Sequence, residues 1–247
     1  MKSSSGPYVG LGVLIVRKYT FFLWILIPIF LFKQASDADV SVWRPASSSM
    51  SVPSTTLIID AGHGGEDGGA VSVTGVSESQ INLSISRKLE DTLAFFGLVP
   101  HMLRREDISL HDQTAGTLRE KKVSDLHNRV AQIEETLHPV VLSIHQNSYP
   151  VARYRGAQVF FAPTEGSEEW ARHIQSVLRM NLDPDHVREI KQITDNVYLM
   201  NHISCPAVLV ECGFLSNPEE EKLLRQDYYQ RKIAVCLASA VLTAPDI

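Results

Sequence analysis

From Leu57 to the C-terminus, short apolar runs alternate with longer amphipathic stretches, and few architectures accommodate that order. "TLIID" is a short buried strand. "SESQINLSISRKLEDTLAFFG" sets Ile81, Ile85, Leu89 and Leu93 on one helical face, with Gly97 as the stop. "LVPHML" reads as an edge strand, because Pro100 has no N–H to give a ladder. A second helix is expected over 121–137, with Val123, Leu126, Val130 and Ile133 on its buried face. "PVVLSIHQNS" and "GAQVFFAP" follow as strands, and "SEEWARHIQSVLRMNL" as a helix. "NVYLMNH" and "PAVLVECGFL" read as two further strands, and "DYYQRKIAVCLASAVL" closes as a helix. The order implies one three-layer α/β domain over residues 56–247, with a mostly parallel or mixed, twisted sheet flanked by helices.

The N-terminus is different. Arg17 and Lys18 precede a charge-free, mostly apolar run, Tyr19–Phe32, and Lys33 follows. Fourteen residues is short of the roughly 20 that span a bilayer and suits a signal h-region. Basic residues on the leading flank keep that end in the cytoplasm. Ser36-Asp37-Ala38 is only a weak cleavage match, so residues 1–33 are expected to be a signal peptide or a signal anchor. Residues 34–55, rich in serine with two prolines, read as a flexible linker. The rest of the chain then works outside the cytoplasm, tied to the membrane or released from it.

A net charge of −5, a pI near 6.0 and the lack of a basic cluster in the body argue against a nucleic-acid partner. The three cysteines, Cys205, Cys212 and Cys236, cannot all pair with one another and are expected to be packed thiols.

His63, His145 and Glu211 sit at or just beyond strand C-terminal ends, where open α/β sheets gather ligands. His63 lies in "IIDAGHGGEDGG". No lysine follows those glycines and no helix begins directly after them, so a phosphate loop does not fit. Alone, a histidine in a glycine turn is structural, exposed or a metal ligand. Asp60, three residues earlier, is placed to orient its imidazole. His145 ends "VVLSIH", either facing a cleft or satisfied at the surface. Glu78 follows Ser77, which with Gln80 fits a capping box; there an acid either serves the helix dipole or binds a ligand. Glu211 interrupts the apolar run "AVLVECGFL", and a carboxylate in such a place is paired, a general base or a metal ligand. Two histidines and a carboxylate, with a second carboxylate to move protons, make the composition of a catalytic zinc site. The remaining histidines lie on loops or polar faces.

"DAGHGGEDGGA", "SESQINL", "LRRED", "VVLSIHQN" and "PAVLVECGFLSNP" resemble, in order and spacing, the zinc-dependent N-acetylmuramoyl-L-alanine amidases of the amidase 3 family, over most of residues 57–242. "REKKVSDLHNRV" and "DNVYLMNHISCPAVLVECGFLSNP" are similar to the germination-specific branch found in endospore formers. The resemblance implies Zn2+ held by His63, Glu78 and His145, with Glu211 as catalytic acid and base. It also implies peptidoglycan as substrate, cut between N-acetylmuramic acid and L-alanine. In the germination branch that step strips stem peptides from spore cortex before a separate deacetylase forms muramic-δ-lactam. Ala61, where proline is common, and Cys212, where valine or threonine is usual, depart from the pattern without touching a ligand. A zinc exopeptidase on a similar scaffold and a non-catalytic, membrane-tethered wall-binding module are the competing expectations.

Overall fold

The computed structural model describes residues 55–185 and 187–244. The signal segment, nearly all of the linker and His186 lie outside the described residues. Among those described, no helix is long and apolar enough to cross a membrane.

Six strands form one sheet in the order β2-β1-β3-β6-β4-β5. They are β1 (Thr56–Ala61), β2 (His101–Met102), β3 (Pro139–Asn147), β4 (Gln158–Phe161), β5 (Lys191–Gln192) and β6 (Ala207–Phe214). The helices are α1 (Glu78–Phe95), α2 (Leu118–Glu134), α3 (Ser167–Leu182), the single turn α4 (Tyr198–Asn201), α5 (Pro218–Leu224) and α6 (Asp227–Leu242). β2, β1, β3 and β6 run parallel, whereas β4 is antiparallel to β6. The sheet is therefore mixed. The ten-residue link from β3 to β4 carries no crossover helix, and a parallel return ordinarily needs one.

Strand alternation sorts the side chains into two cores. Leu57 and Ile59, Leu142 and Ile144, and Val208 and Val210 pack beneath α1, α3 and α6. Their intervening neighbours Ile58, Val141, Ala207 and Leu209 pack on the opposite face with Ile133 of α2 and Leu199 and Met200 of α4. Each fully buried leucine or isoleucine contributes about 1.5–3 kcal/mol. Period-two alternation puts Asp60, Ser143, His145 and Glu211 on the same face as this second group, toward the strands' C-terminal ends.

Local chemistry explains most element ends. Gly97, in the left-handed region at φ 82°, ends α1: its N–H reaches Ala94 O, and that of Leu98 reaches Leu93 O. Thr117 and Glu120 make a full capping box that starts α2 three residues before the expected boundary. The capping box expected at Ser77 does not form. Ser77 precedes α1 but its hydroxyl pairs with Ser79, and the first N–H groups of α1 donate to Ala70 O and Gly68 O instead. "NVYLMNH", expected as a strand, forms α4, with the adjacent residues Leu199 and Met200 both buried. Strand alternation would bury only one of such a pair.

Candidate functional site

β1 leads into the glycine turn, and His63 stands there in the left-handed region at φ 61°. Non-glycine residues rarely adopt it. Two buried arginines hold it. Arg129 donates to Ala61 O and His63 O. Arg104 donates to the carbonyls of Ala61, Gly62, Ser79 and Glu106 and, among the described residues, makes no ion pair with a carboxylate. Burial lowers the Arg104 pKa to about 10, which still leaves it charged at neutral pH. Arg129 instead pairs with Asp60 and Asp125.

Asp60 does not orient the His63 ring, contrary to expectation. Its position in β1 turns it toward α2, where it pairs with Arg129 and accepts 2.6 Å from Ser143 Oγ. The orienting carboxylate is Asp67, 2.9 Å from His63 Nδ1 and itself 2.9 Å from Lys122. An ionised carboxylate only accepts, so Nδ1 carries a proton toward Asp67, and Nε2, which faces Glu78 Oε2 at 3.4 Å, is the nitrogen left to take a cation in place of its own proton.

Glu78, in the first turn of α1, is buried between the two imidazoles. Oε1 lies 2.8 Å from His145 Nδ1 and accepts from the Gln146 N–H and Asn82 Nδ2. Oε2 accepts from the Ala70 N–H. Burial alone would raise its pKa, but the hydrogen bonds and charges of His145 and His63 hold it well below the usual carboxylate range. Burial likewise opposes a charge on His63, yet Asp67 and Glu78 raise its pKa to about 9. A site that favours positive charge this strongly in its bare form suits a cation. One donor atom from each of His63, Glu78 and His145 lies within 4.8 Å of the others.

Two glycines make the approach possible. A Cβ on Gly62 would stand 2.1 Å from His145 Nε2. One on Gly69, at φ 67°, would stand 2.6 Å from Glu78 Oε2 and 2.7 Å from His63 Cδ2.

Glu211 lies directly opposite His145 in the β3–β6 register and lines the same cleft as Gly62, His63 and Tyr198. Its Oε2 is buried without a hydrogen-bond partner among the described residues, and burial raises its pKa to about 7. Such a carboxyl holds or releases a proton near neutrality. The structure thus brings His63, Glu78 and His145 together with Glu211 beside them. The three cysteines are buried and free, and burial raises the pKa of each, Cys212 included.

Sequence reasoning missed Asp67, Arg104 and Arg129 as supports of the site. The four-residue step from His63 to Asp67 was the available signal. Both arginines lie within stretches that carried the resemblance.

Two imidazoles at the ends of parallel strands and a carboxylate from the first turn of α1, with a buried carboxyl alongside, have the composition of a metallohydrolase site. Residues 57–243 match the family model described as N-acetylmuramoyl-L-alanine amidase, and the chain belongs to that family of enzymes. It is 35% identical over 225 residues to the germination-specific N-acetylmuramoyl-L-alanine amidase of Bacillus subtilis, across 90% of this chain and 92% of the relative. It is similar to the CwlD amidase of Clostridioides difficile, solved in complex with the GerS lipoprotein, at a TM-score of 0.72 and 37% identity. That match covers 76% of this chain and 96% of the other. An N-acetylmuramoyl-L-alanine amidase of Clostridium difficile 630 matches at a TM-score of 0.65 and 28% identity, over 77% and 96% of the two chains.

Proposed function

We propose that this chain is a zinc amidase that cuts stem peptides from spore-cortex peptidoglycan at the bond between the lactyl group of N-acetylmuramic acid and L-alanine. The observation that carries the chemistry is the His63–Glu78–His145 donor set with the unpartnered Glu211 carboxyl beside it. The donors fit zinc: two imidazoles and one carboxylate, with the His63 tautomer set by Asp67. Zinc bound there supplies Lewis-acid polarisation of the scissile carbonyl and a water of lowered pKa.

This chain's own residues do the rest. Glu211 takes the proton from the attacking water and returns it to the departing alanine amine, and a pKa near 7 suits both directions. Asp67 and Lys122 keep the His63 ring fixed. Arg104 and Arg129 hold the turn that presents it.

Similarity to the germination-specific amidase supports the cortex as substrate and an extracytoplasmic location in the spore envelope. The GerS complex of the similar amidase supports an accessory lipoprotein there. Purified protein is to be assayed on muramyl peptides, with products identified by mass and zinc content measured. Cleavage only of free peptides would favour the exopeptidase, and peptidoglycan binding without zinc the wall-binding module. Spores lacking the protein are expected to lose muramic-δ-lactam, and normal lactam would overturn the cortex assignment while leaving the amidase chemistry intact.

A further inference from the structure

The end of the domain opposite the cleft carries large apolar side chains in the open. Phe95, Phe96 and Val99 are 85%, 61% and 78% exposed, and the two phenyl rings meet edge to face at 5.3 Å. Leu137 is 75% exposed. Strand register puts these residues at one level. Ile58 pairs with His101 in parallel register, so Val99, two residues ahead of His101, lies toward the end of the sheet where Thr56 begins β1. Thr56 pairs with Pro139 and donates to His138 O at 2.8 Å, so Leu137 lies just beyond on the other side. Phe95 and Phe96 end α1 and lead through Gly97 to Val99. The apolar residues therefore border the point where the chain enters the domain. Ahead of that point lie the linker 34–55 and the charge-free run Tyr19–Phe32.

We propose that this end of the domain, presenting Phe95, Phe96, Val99 and Leu137, rests on the lipid bilayer that holds the chain's N-terminus, so that the His63–Glu78–His145 cluster faces away from the membrane. The proposal rests on the N-terminal segment being kept as an anchor. Residues 34–55 number only 22, and so short a tether keeps the domain at high local concentration beside the membrane. Under that tether, a few phenyl and aliphatic side chains suffice to select one face, since such groups settle at the headgroup boundary. Exposed Asp91 and Glu135 lie at the same end, so the contact is apolar rather than an attraction to anionic lipid. His145 lies eight residues along the chain from Leu137, about 26 Å at ~3.3 Å per residue, so the cleft opens well clear of the bilayer.

The test uses the full chain reconstituted in vesicles of phosphatidylethanolamine and phosphatidylglycerol. An environment-sensitive fluorophore is attached at Phe96→Cys, Val99→Cys or Val73→Cys. Val73 is 86% exposed in the loop before Glu78 at the cleft end, and the native cysteines are buried. Lipids brominated in the acyl chain are expected to quench positions 96 and 99 several-fold more than position 73, with little dependence on salt. Adding Phe95→Ser and Phe96→Ser to the Val99→Cys chain should abolish that quenching without shifting the unfolding midpoint. Equal quenching at both ends, or none in vesicles that float with the protein, overturns the proposal. A chain that fails to float overturns the anchor, and the proposal with it.

Discussion

Gly62→Ala isolates the closest approach in the site. The new Cβ would stand 2.1 Å from His145 Nε2 and 2.3 Å from Cε1, where ordinary contact begins near 3.4 Å. The ring must therefore retreat by about 1.3 Å. It cannot do so without giving up the 2.8 Å contact of Nδ1 with Glu78. The turn cannot give instead, because the Gly62 carbonyl accepts from Arg104 and Asn82 and its N–H donates to Ile144 O. Misplacing a catalytic group by 1 Å costs about 100-fold, and overpacking a tight site about 1–3 kcal/mol. Zinc affinity, measured by competition with a chromophoric chelator, should fall about 100-fold, and hydrolysis at least as far. The thermal midpoint should drop by roughly 2–10 °C. Gly97→Ala is the control for an alanine that meets no neighbour: it carries the added strain of a positive φ, 82°, yet its Cβ meets nothing within 4 Å. That variant should lose about 1 kcal/mol of stability and bind zinc normally. Wild-type zinc affinity and hydrolysis in Gly62→Ala would refute the close-approach argument.

Other perturbations separate the remaining parts. Glu211→Gln should keep zinc while hydrolysis falls by about 10²–10⁴-fold, and undiminished turnover would remove Glu211 from proton transfer. Asp67→Asn lets the wrong imidazole nitrogen carry the proton, so zinc affinity should weaken roughly 10–100-fold with little change in urea stability. Arg129→Met strands Asp60 as a buried charge and should cost about 3–5 kcal/mol in urea unfolding; a loss near zero would contradict the pairing. Burial opposes the Asp60 charge, but Arg129 and Ser143 hold its pKa below the ordinary carboxylate value. Its stabilising effect is therefore complete above the unfolded value near 4 and fades as pH falls through the lower native one. The acid-side decline in urea midpoint should be shallower in Asp60→Asn than in wild type.

The architecture was legible where period and length agreed. The spacing of Ile81, Ile85, Leu89 and Leu93 and the run "PAVLVECGFL" each admitted one element type, and both formed. "NVYLMNH" did not, since a valine and a tyrosine in so short a stretch suit a strand as well as one helical turn. The direction of β4 was readable in principle, because the link after β3 is too short for a crossover helix. In the candidate site, Glu211 announced itself as a charge in an apolar run. His63 and Asp60 show the limit. Their separation in sequence suggested a partnership, but Asp60 obeys the strand's alternation while His63 has already left the strand in a left-handed turn. The Ser77 hydroxyl failed as a cap for a related reason: carbonyls of the glycine loop, folded back from residues 68 and 70, reach the helix N–H groups first.

β6 is the last strand in the chain, yet it lies between β3 and β4 near the middle of the sheet. As the chain is made from its N-terminus, His63, Glu78 and His145 emerge well before Glu211, while the slot that β6 must enter is still an open edge. The His63–Glu78–His145 set is thus complete in sequence before Glu211 arrives. On the proposed assignment of Glu211, a chain cut short before β6 would hold the donor set and yet not hydrolyse the wall.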